Sequence, residues 1–179
     1  KVTGIDNMIS DPSMRGGGLH QTPKGGLLKL HADFNKHDAN FLDRRINVIF
    51  YMNKNWKEAY GGSLELWDQE VTKCEVKILP VFNRLAIFSP TSKTFHGHPD
   101  PLTCPDGDSR KSLALFYYTN GRPANETNQS HTTIFAERPH ERIGGMRWRV
   151  SQDYMPPVLF RAMRRFRERH LANTIQKRG

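Results

Sequence analysis

The stretch Lys29-Leu30-His31-Ala32-Asp33-Phe34 carries an imidazole and a carboxylate two residues apart. On an extended strand residues i and i+2 point to the same face, so His31 and Asp33 stand side by side with Ala32 turned away. Thr94-Phe95-His96-Gly97-His98 supplies two further imidazoles on one strand face. Either His96 or His98 would complete a two-histidine, one-carboxylate set, the donor combination of non-haem Fe(II) centres with open coordination positions. The extended geometry that Pro99 imposes on His98 does not separate the two. A 2-oxo acid can chelate two of the open positions and dioxygen can take the third. Such an acid needs a cation at its far end. Arg110 opens a strand on which Ser112, Ala114 and Phe116 share its face, and its guanidinium can grip a carboxylate with two parallel hydrogen bonds. Tyr51, on a neighbouring inner face, can add a hydroxyl to the same carboxylate, whereas Lys111 alternates outward.

These side chains need strands to hold them, and the chain is rich in strand signals. Residues 45–53 alternate clearly: Asn47, Ile49, Tyr51 and Asn53 share one face, and Ile46, Val48, Phe50 and Met52 the other. Further strands are expected at 19–21, 27–34, 63–67, 76–79, 84–88, 95–98 and 112–119, separated by Gly, Pro and Asn-Gly turns. Residues 131–136 add an edge strand. Many short strands with hardly a helix among them predict an all-β antiparallel core, a double-stranded β-helix or jelly roll around the site. Residues 1–24 read as an irregular entry with a short helical turn, 25–140 as the jelly-roll domain, and 141–179 as a basic extension. Within that extension 158–171 has helical periodicity, with Leu159, Met163, Phe166 and His170 on one face and five arginines around the rest.

The chain has 179 residues and a net charge of +9, unevenly distributed. Residues 142–179 hold ten Lys/Arg against Asp153 and Glu168, so the part bearing the candidate site is nearly neutral. An Arg-rich helix can contact phosphates. A binding protein using that helix on nucleic acid is therefore the non-enzyme alternative, weakened by the lack of any recognisable nucleic-acid module. No apolar run has the length needed to cross a bilayer. Two cysteines, Cys74 and Cys104, are too few for a disulfide scaffold. With no signal peptide, the reading is free thiols in the cytoplasm. A first residue of Lys rather than Met suggests a fragment. His20, His37, His131, His140 and His170 lack a partner at ligand spacing and are assigned structural or exposed positions; Trp67 and Trp56 read as core and rim aromatics.

Residues 25–121 resemble the Fe(II)/2-oxoglutarate-dependent oxygenases of the prolyl 4-hydroxylase type. The resemblance rests on His31-Ala32-Asp33, on Val48-Ile49-Phe50-Tyr51-Met52-Asn53-Lys54-Asn55-Trp56 and on Gly61-Gly62-Ser63-Leu64. It continues through Pro80-Val81-Phe82-Asn83-Arg84-Leu85-Ala86-Ile87-Phe88, His96, and Arg110 leading into Leu113-Ala114-Leu115-Phe116-Tyr117-Tyr118. The hypoxia-sensing prolyl hydroxylases follow a similar course. The resemblance implies His31, Asp33 and His96 as iron ligands, with Arg110 and Tyr51 on the far carboxylate of 2-oxoglutarate. Asn47, on the face of Tyr51, joins them as a cofactor-binding candidate. It further implies that 2-oxoglutarate and O2 are consumed, succinate and CO2 released, and a C–H bond hydroxylated, with ascorbate supporting assays. A prolyl residue of a protein or peptide is the family-level substrate; a free amino acid or other small molecule is the alternative. Asp33 keeps the carboxylate that the related halogenases replace. Two departures stand out: the segment 99–109 is longer than in the hypoxia sensors, and Gln21 occupies the place of a tyrosine ten residues before the first histidine ligand. Residues 35–43 and 99–109 are expected to flank the mouth of the site.

Overall fold

The computed structural model describes residues 2–11, 13–126 and 129–141. Contacts divide the chain into Lys1–Ile143 and Gly144–Gly179; the second unit, with the helix expected at 158–171, lies outside the described residues. No helix among the described residues is long and apolar enough to cross a membrane.

Ten strands follow in order: β1 (Ile9–Ser10), β2 (Gly18–Pro23), β3 (Leu28–Ala32), β4 (Asp43–Tyr51), β5 (Leu64–Trp67), β6 (Cys74–Ile78), β7 (Arg84–Phe88), β8 (Phe95–His98), β9 (Ser109–Thr119) and β10 (Ile134–Phe135). They form two antiparallel sheets, consistent with a jelly roll. One runs β9-β4-β7, with β1 and β2 both pairing along the free edge of β9; the other runs β10-β3-β8-β5-β6. The expected helical turn in the entry segment is instead β1, since Ile9 and Ser10 pair with Tyr118 and Tyr117.

Period-2 alternation decides which side chains enter. On β9, Arg110, Ser112, Ala114, Phe116 and Tyr118 are buried, and the residues between them are half-buried. Between the sheets, Tyr51 and Ala86 from one pack on Leu64 from the other, joined by Ile49, Leu66, Ile78 and Phe88. A second cluster of Trp56, Leu102 and Cys104 closes one end of the barrel, with Tyr60, Leu79 and Val81 against it. Trp56 is thus a core aromatic, and both thiols are free, Cys104 buried.

Of the segment 99–109, Leu102 and Cys104 join that cluster, while Pro101, Thr103 and 105–108 are exposed. Leu102 exchanges backbone hydrogen bonds with Gly25 and Gly26, and Thr103 donates its amide to Tyr60. Leu102 lies beneath Gly62 and Arg110, at the opposite end of β9 from Arg44 and Tyr118. Leu102 and Cys104, the two apolar side chains of this stretch, gain by burial against Trp56.

One irregularity sets the register of the site. Leu28 pairs with His98 and His31 with His96, so β3 carries an extra residue, a β-bulge, between the two pairs. The bulge turns the carbonyls of Leu28 and Lys29 toward Gly97, where a Cβ would lie 2.7 and 2.8 Å from them. Only glycine fits, which accounts for the spelling His-Gly-His.

Candidate metal centre and cosubstrate pocket

The bulge brings His31 directly opposite His96, with ring centroids 4.5 Å apart. Asp33, just past the end of β3, completes the group: one ligand atom from each of His31, Asp33 and His96 lies within 4.8 Å of the others. His31 Nε2 stands 3.6 Å from Asp33 Oδ1, and His96 Nε2 3.3 Å from Asp33 Oδ2.

The outer nitrogens are committed. His31 Nδ1 donates to the Lys29 carbonyl at 2.8 Å and His96 Nδ1 to the Thr94 carbonyl at 3.1 Å. A carbonyl accepts only from N–H, so a neutral ring here carries its proton on Nδ1 and has Nε2 as the nitrogen able to bind a metal. The donor set of two neutral imidazoles and one carboxylate, backed by hydrogen-bonded outer atoms, fits a divalent first-row metal such as Fe(II). Burial works against charge on Asp33, but hydrogen bonds from both histidines and the Arg44 charge outweigh it and hold its carboxyl well below the usual range. Burial also opposes a proton on His31; the Asp33 hydrogen bond and charge reverse that and raise its pKa. An entering cation takes the place of that proton.

Sequence reasoning missed Arg44. Alternation outward from Tyr51, Ile49 and Asn47 points Arg45 inward, but β4 is bulged between Arg44 and Ile46. Arg44 therefore turns in, only 1% exposed. Its Nη2 lies 3.0 Å from Asp33 Oδ2, its Nε donates to Asn47 Oδ1 at 2.9 Å, and its guanidinium is sandwiched between the rings of Phe116 and Phe34. Arg45 turns instead to Thr119 and Glu126.

Asn47, expected on the cofactor, uses both ends of its amide elsewhere: Nδ2 donates to Asp33 Oδ2 at 2.7 Å while Oδ1 accepts from Arg44. Oδ2 is thus held by two donors and Oδ1 is left toward a cation. We expect Asn47→Ala to weaken Fe(II) affinity about 10- to 100-fold, the usual effect of losing an outer-shell partner, with the fold retained. Anaerobic Fe(II) titration beside circular dichroism checks this.

Arg110 lies in the same interior, on the inner face of β9 with Tyr51 of β4. Its Nε donates to the Gly62 carbonyl at 2.8 Å and its Nη2 to Tyr51 Oη at 3.3 Å. Neither bond uses Nη1, which is left for a ligand. Gly62 sits at φ +73°, and a Cβ there would meet Leu102 Cδ2 at 2.6 Å and Arg110 Cδ at 3.0 Å; the glycine is what lets the arginine lie against it. Burial raises the Tyr51 pKa, so the phenol stays protonated and able to donate.

His98 lies outside the metal group. It is buried on the face of His96, opposite Leu28, and burial followed by the Arg110 and His31 charges lowers its pKa to about 3. Gln21 is exposed and donates to Ser109 Oγ at 2.9 Å, away from the triad. His37 is a buried structural histidine, its Nε2 3.1 Å from Ser13 Oγ. His20 is exposed on β2, and His131 bonds Ser92. His170 lies outside the described residues.

Two antiparallel sheets enclosing two histidines, an aspartate and a buried arginine define a metal-dependent oxygenase class. The family described as the 2OG-Fe(II) oxygenase superfamily matches residues 17–118. The chain belongs to that superfamily. It is 31% identical over 86 residues to prolyl 3-hydroxylase OGFOD1 of Mus musculus, a match covering 46% of this chain and 15% of that one. Among solved structures, a Trichoplax adhaerens prolyl hydroxylase in complex with a hypoxia inducible factor peptide fragment is 29% identical, with a TM-score of 0.44, covering 56% of this chain and 41% of that one. A Phytophthora capsici prolyl 4-hydroxylase structure is 23% identical, with a TM-score of 0.42, covering 57% and 31%. The chain spans less than half the length of each of these relatives.

Proposed function

We propose that the protein hydroxylates a prolyl residue of a protein or peptide, using Fe(II), 2-oxoglutarate and O2 and releasing succinate and CO2. The observation that carries the reading is the pairing of a metal-binding triad with a buried arginine on the inner face of the same barrel. Three neutral-or-anionic donors suit Fe(II), and a fixed cation suits the far end of a dicarboxylate. His31, Asp33 and His96 would hold the metal, and Arg110 with Tyr51 would hold the 5-carboxylate. When bound, the iron supplies the oxygen chemistry.

The chain's own residues do the positioning. The Lys29 and Thr94 carbonyls fix the two rings, and Asn47 and Arg44 fix the carboxylate. Phe34 and Phe116 sandwich Arg44 beside Asp33. The prolyl assignment draws on the activity of the prolyl 3-hydroxylase named above.

The test is succinate formation from 2-oxoglutarate with Fe(II), ascorbate and O2. Proline-containing peptides, the same peptides with Ala for Pro, and free proline are compared. Succinate formation stimulated only by the Pro peptides, with one oxygen added by mass, is the expected result. Stimulation by free proline alone moves the substrate to the amino acid. Absence of 2-oxoglutarate turnover under every condition overturns the reading.

A further inference from the structure

We propose that His98 is a binding residue for 2-oxoglutarate, its imidazole donating a hydrogen bond to the 5-carboxylate beside Arg110; this rests on the cosubstrate reading above. His98 is 4% exposed, and its Nδ1 is wholly buried with no hydrogen-bond partner among the described residues. Buried polar atoms in native proteins are paired almost without exception, because an unmet donor retains its full desolvation cost. The other inward histidines of this barrel obey that rule: Nδ1 of His31 and of His96 each bond a main-chain carbonyl. A built-in exception beside a ligand pocket points to a partner that arrives with the ligand.

Position identifies that ligand's end. His96 and His98 share one face of β8. Two residues on a strand advance about 6.6 Å, comparable with the reach of 2-oxoglutarate from its metal-chelating oxo group to its far carboxylate. His98 thus stands roughly one cosubstrate length along the barrel from the metal group. Leu28, its partner across the bulge, offers no polar side chain, and Gln21 is bound to Ser109 instead. A carboxylate held by Arg110 and Tyr51 has lone pairs to spare for a third donor.

Anaerobic titration of the Fe(II)-loaded protein with 2-oxoglutarate, followed by the visible charge-transfer band, tests this. His98→Leu removes the donor at similar bulk; His98→Val does so with a smaller side chain; His98→Asn keeps an N–H near the position of Nδ1. We expect the Leu and Val variants to bind 2-oxoglutarate about 10- to 100-fold more weakly, the scale of a lost hydrogen bond to a charged group. Fe(II) affinity should be unchanged, and the Asn variant should fall between them and wild type. The apo His98→Leu protein should melt at or above the wild-type temperature, because an unmet buried donor has been removed. Wild-type 2-oxoglutarate affinity in the Leu or Val variant overturns the proposal, as does loss of Fe(II) binding, which would put His98 at the metal. Failure of wild-type Fe(II) protein to bind 2-oxoglutarate is a different result: it removes the cosubstrate reading and the proposal with it.

Discussion

His96→Ala is expected to abolish 2-oxoglutarate turnover, leaving less than about 1% of wild type, and to weaken Fe(II) affinity by more than 100-fold. The estimate follows from the metal group itself. Removing an outer-shell partner of a ligand costs about 10- to 100-fold in affinity, and removing a ligand costs more. His96 Nε2 faces Asp33 at 3.3 Å, with Nδ1 held by the Thr94 carbonyl, so the ring has no other evident duty. The fold should survive, since β8 pairs through its backbone with β3 and β5 and the lost ring sits at the edge of the cavity beside Phe88. His20→Ala, on an exposed position of β2, provides the control and should leave turnover and Fe(II) affinity as in wild type. Fe(II) titration and succinate formation are measured on the same preparations. A His96→Ala protein that binds and turns over normally would remove His96 from the centre.

The second large effect is expected at Arg110. Arg110→Ala should weaken 2-oxoglutarate binding about 30-fold to several thousand-fold, since truncating one partner of a buried, hydrogen-bonded charge pair costs about 2–5 kcal/mol. Fe(II) affinity should stay near wild type, because the guanidinium contacts Gly62 and Tyr51 and no residue of the metal group. Arg110→Lys should recover only part of the loss. An ammonium keeps the charge but cannot reproduce the planar fork that bonds Gly62 and Tyr51 while presenting Nη1. A ligand without the far carboxylate, 2-oxobutanoate, separates this role from a general structural one. Wild type and Arg110→Ala should bind it alike. Equal affinity of the two proteins for 2-oxoglutarate would show that the arginine is structural.

The two variants probe two separate groups of side chains, each with its own supports. Around the metal group the carboxylate is fixed by Asn47 and by an arginine held between Phe34 and Phe116. Trp56, Leu102 and Cys104 form an apolar floor beneath Arg110. Arg110 is itself buried, and a charge pair is strongest away from water.

The period of two along a strand is a local property, and what depends on it was legible from residue order alone. His31 beside Asp33 and the inward row Arg110, Ser112, Ala114 and Phe116 stand as alternation requires. So do the inward Tyr51 and the β-rich architecture, because turn residues and alternation are written in consecutive positions. The tertiary structure decided what depends on register between distant strands. His96 faces His31 because β3 bulges between Leu28 and His31; without the extra residue the Leu28–His98 register would set Phe95 there, an offset visible only when β8 lies beside β3. Arg44 rather than Arg45 reaches Asp33 because a second bulge interrupts β4 against β9. Leu102 and Cys104 pack against Trp56 because the apolar space there is made by residues far away in the chain. A bulge shifts every side chain beyond it to the other face, and no single strand's sequence records which partner's hydrogen bonds will demand one.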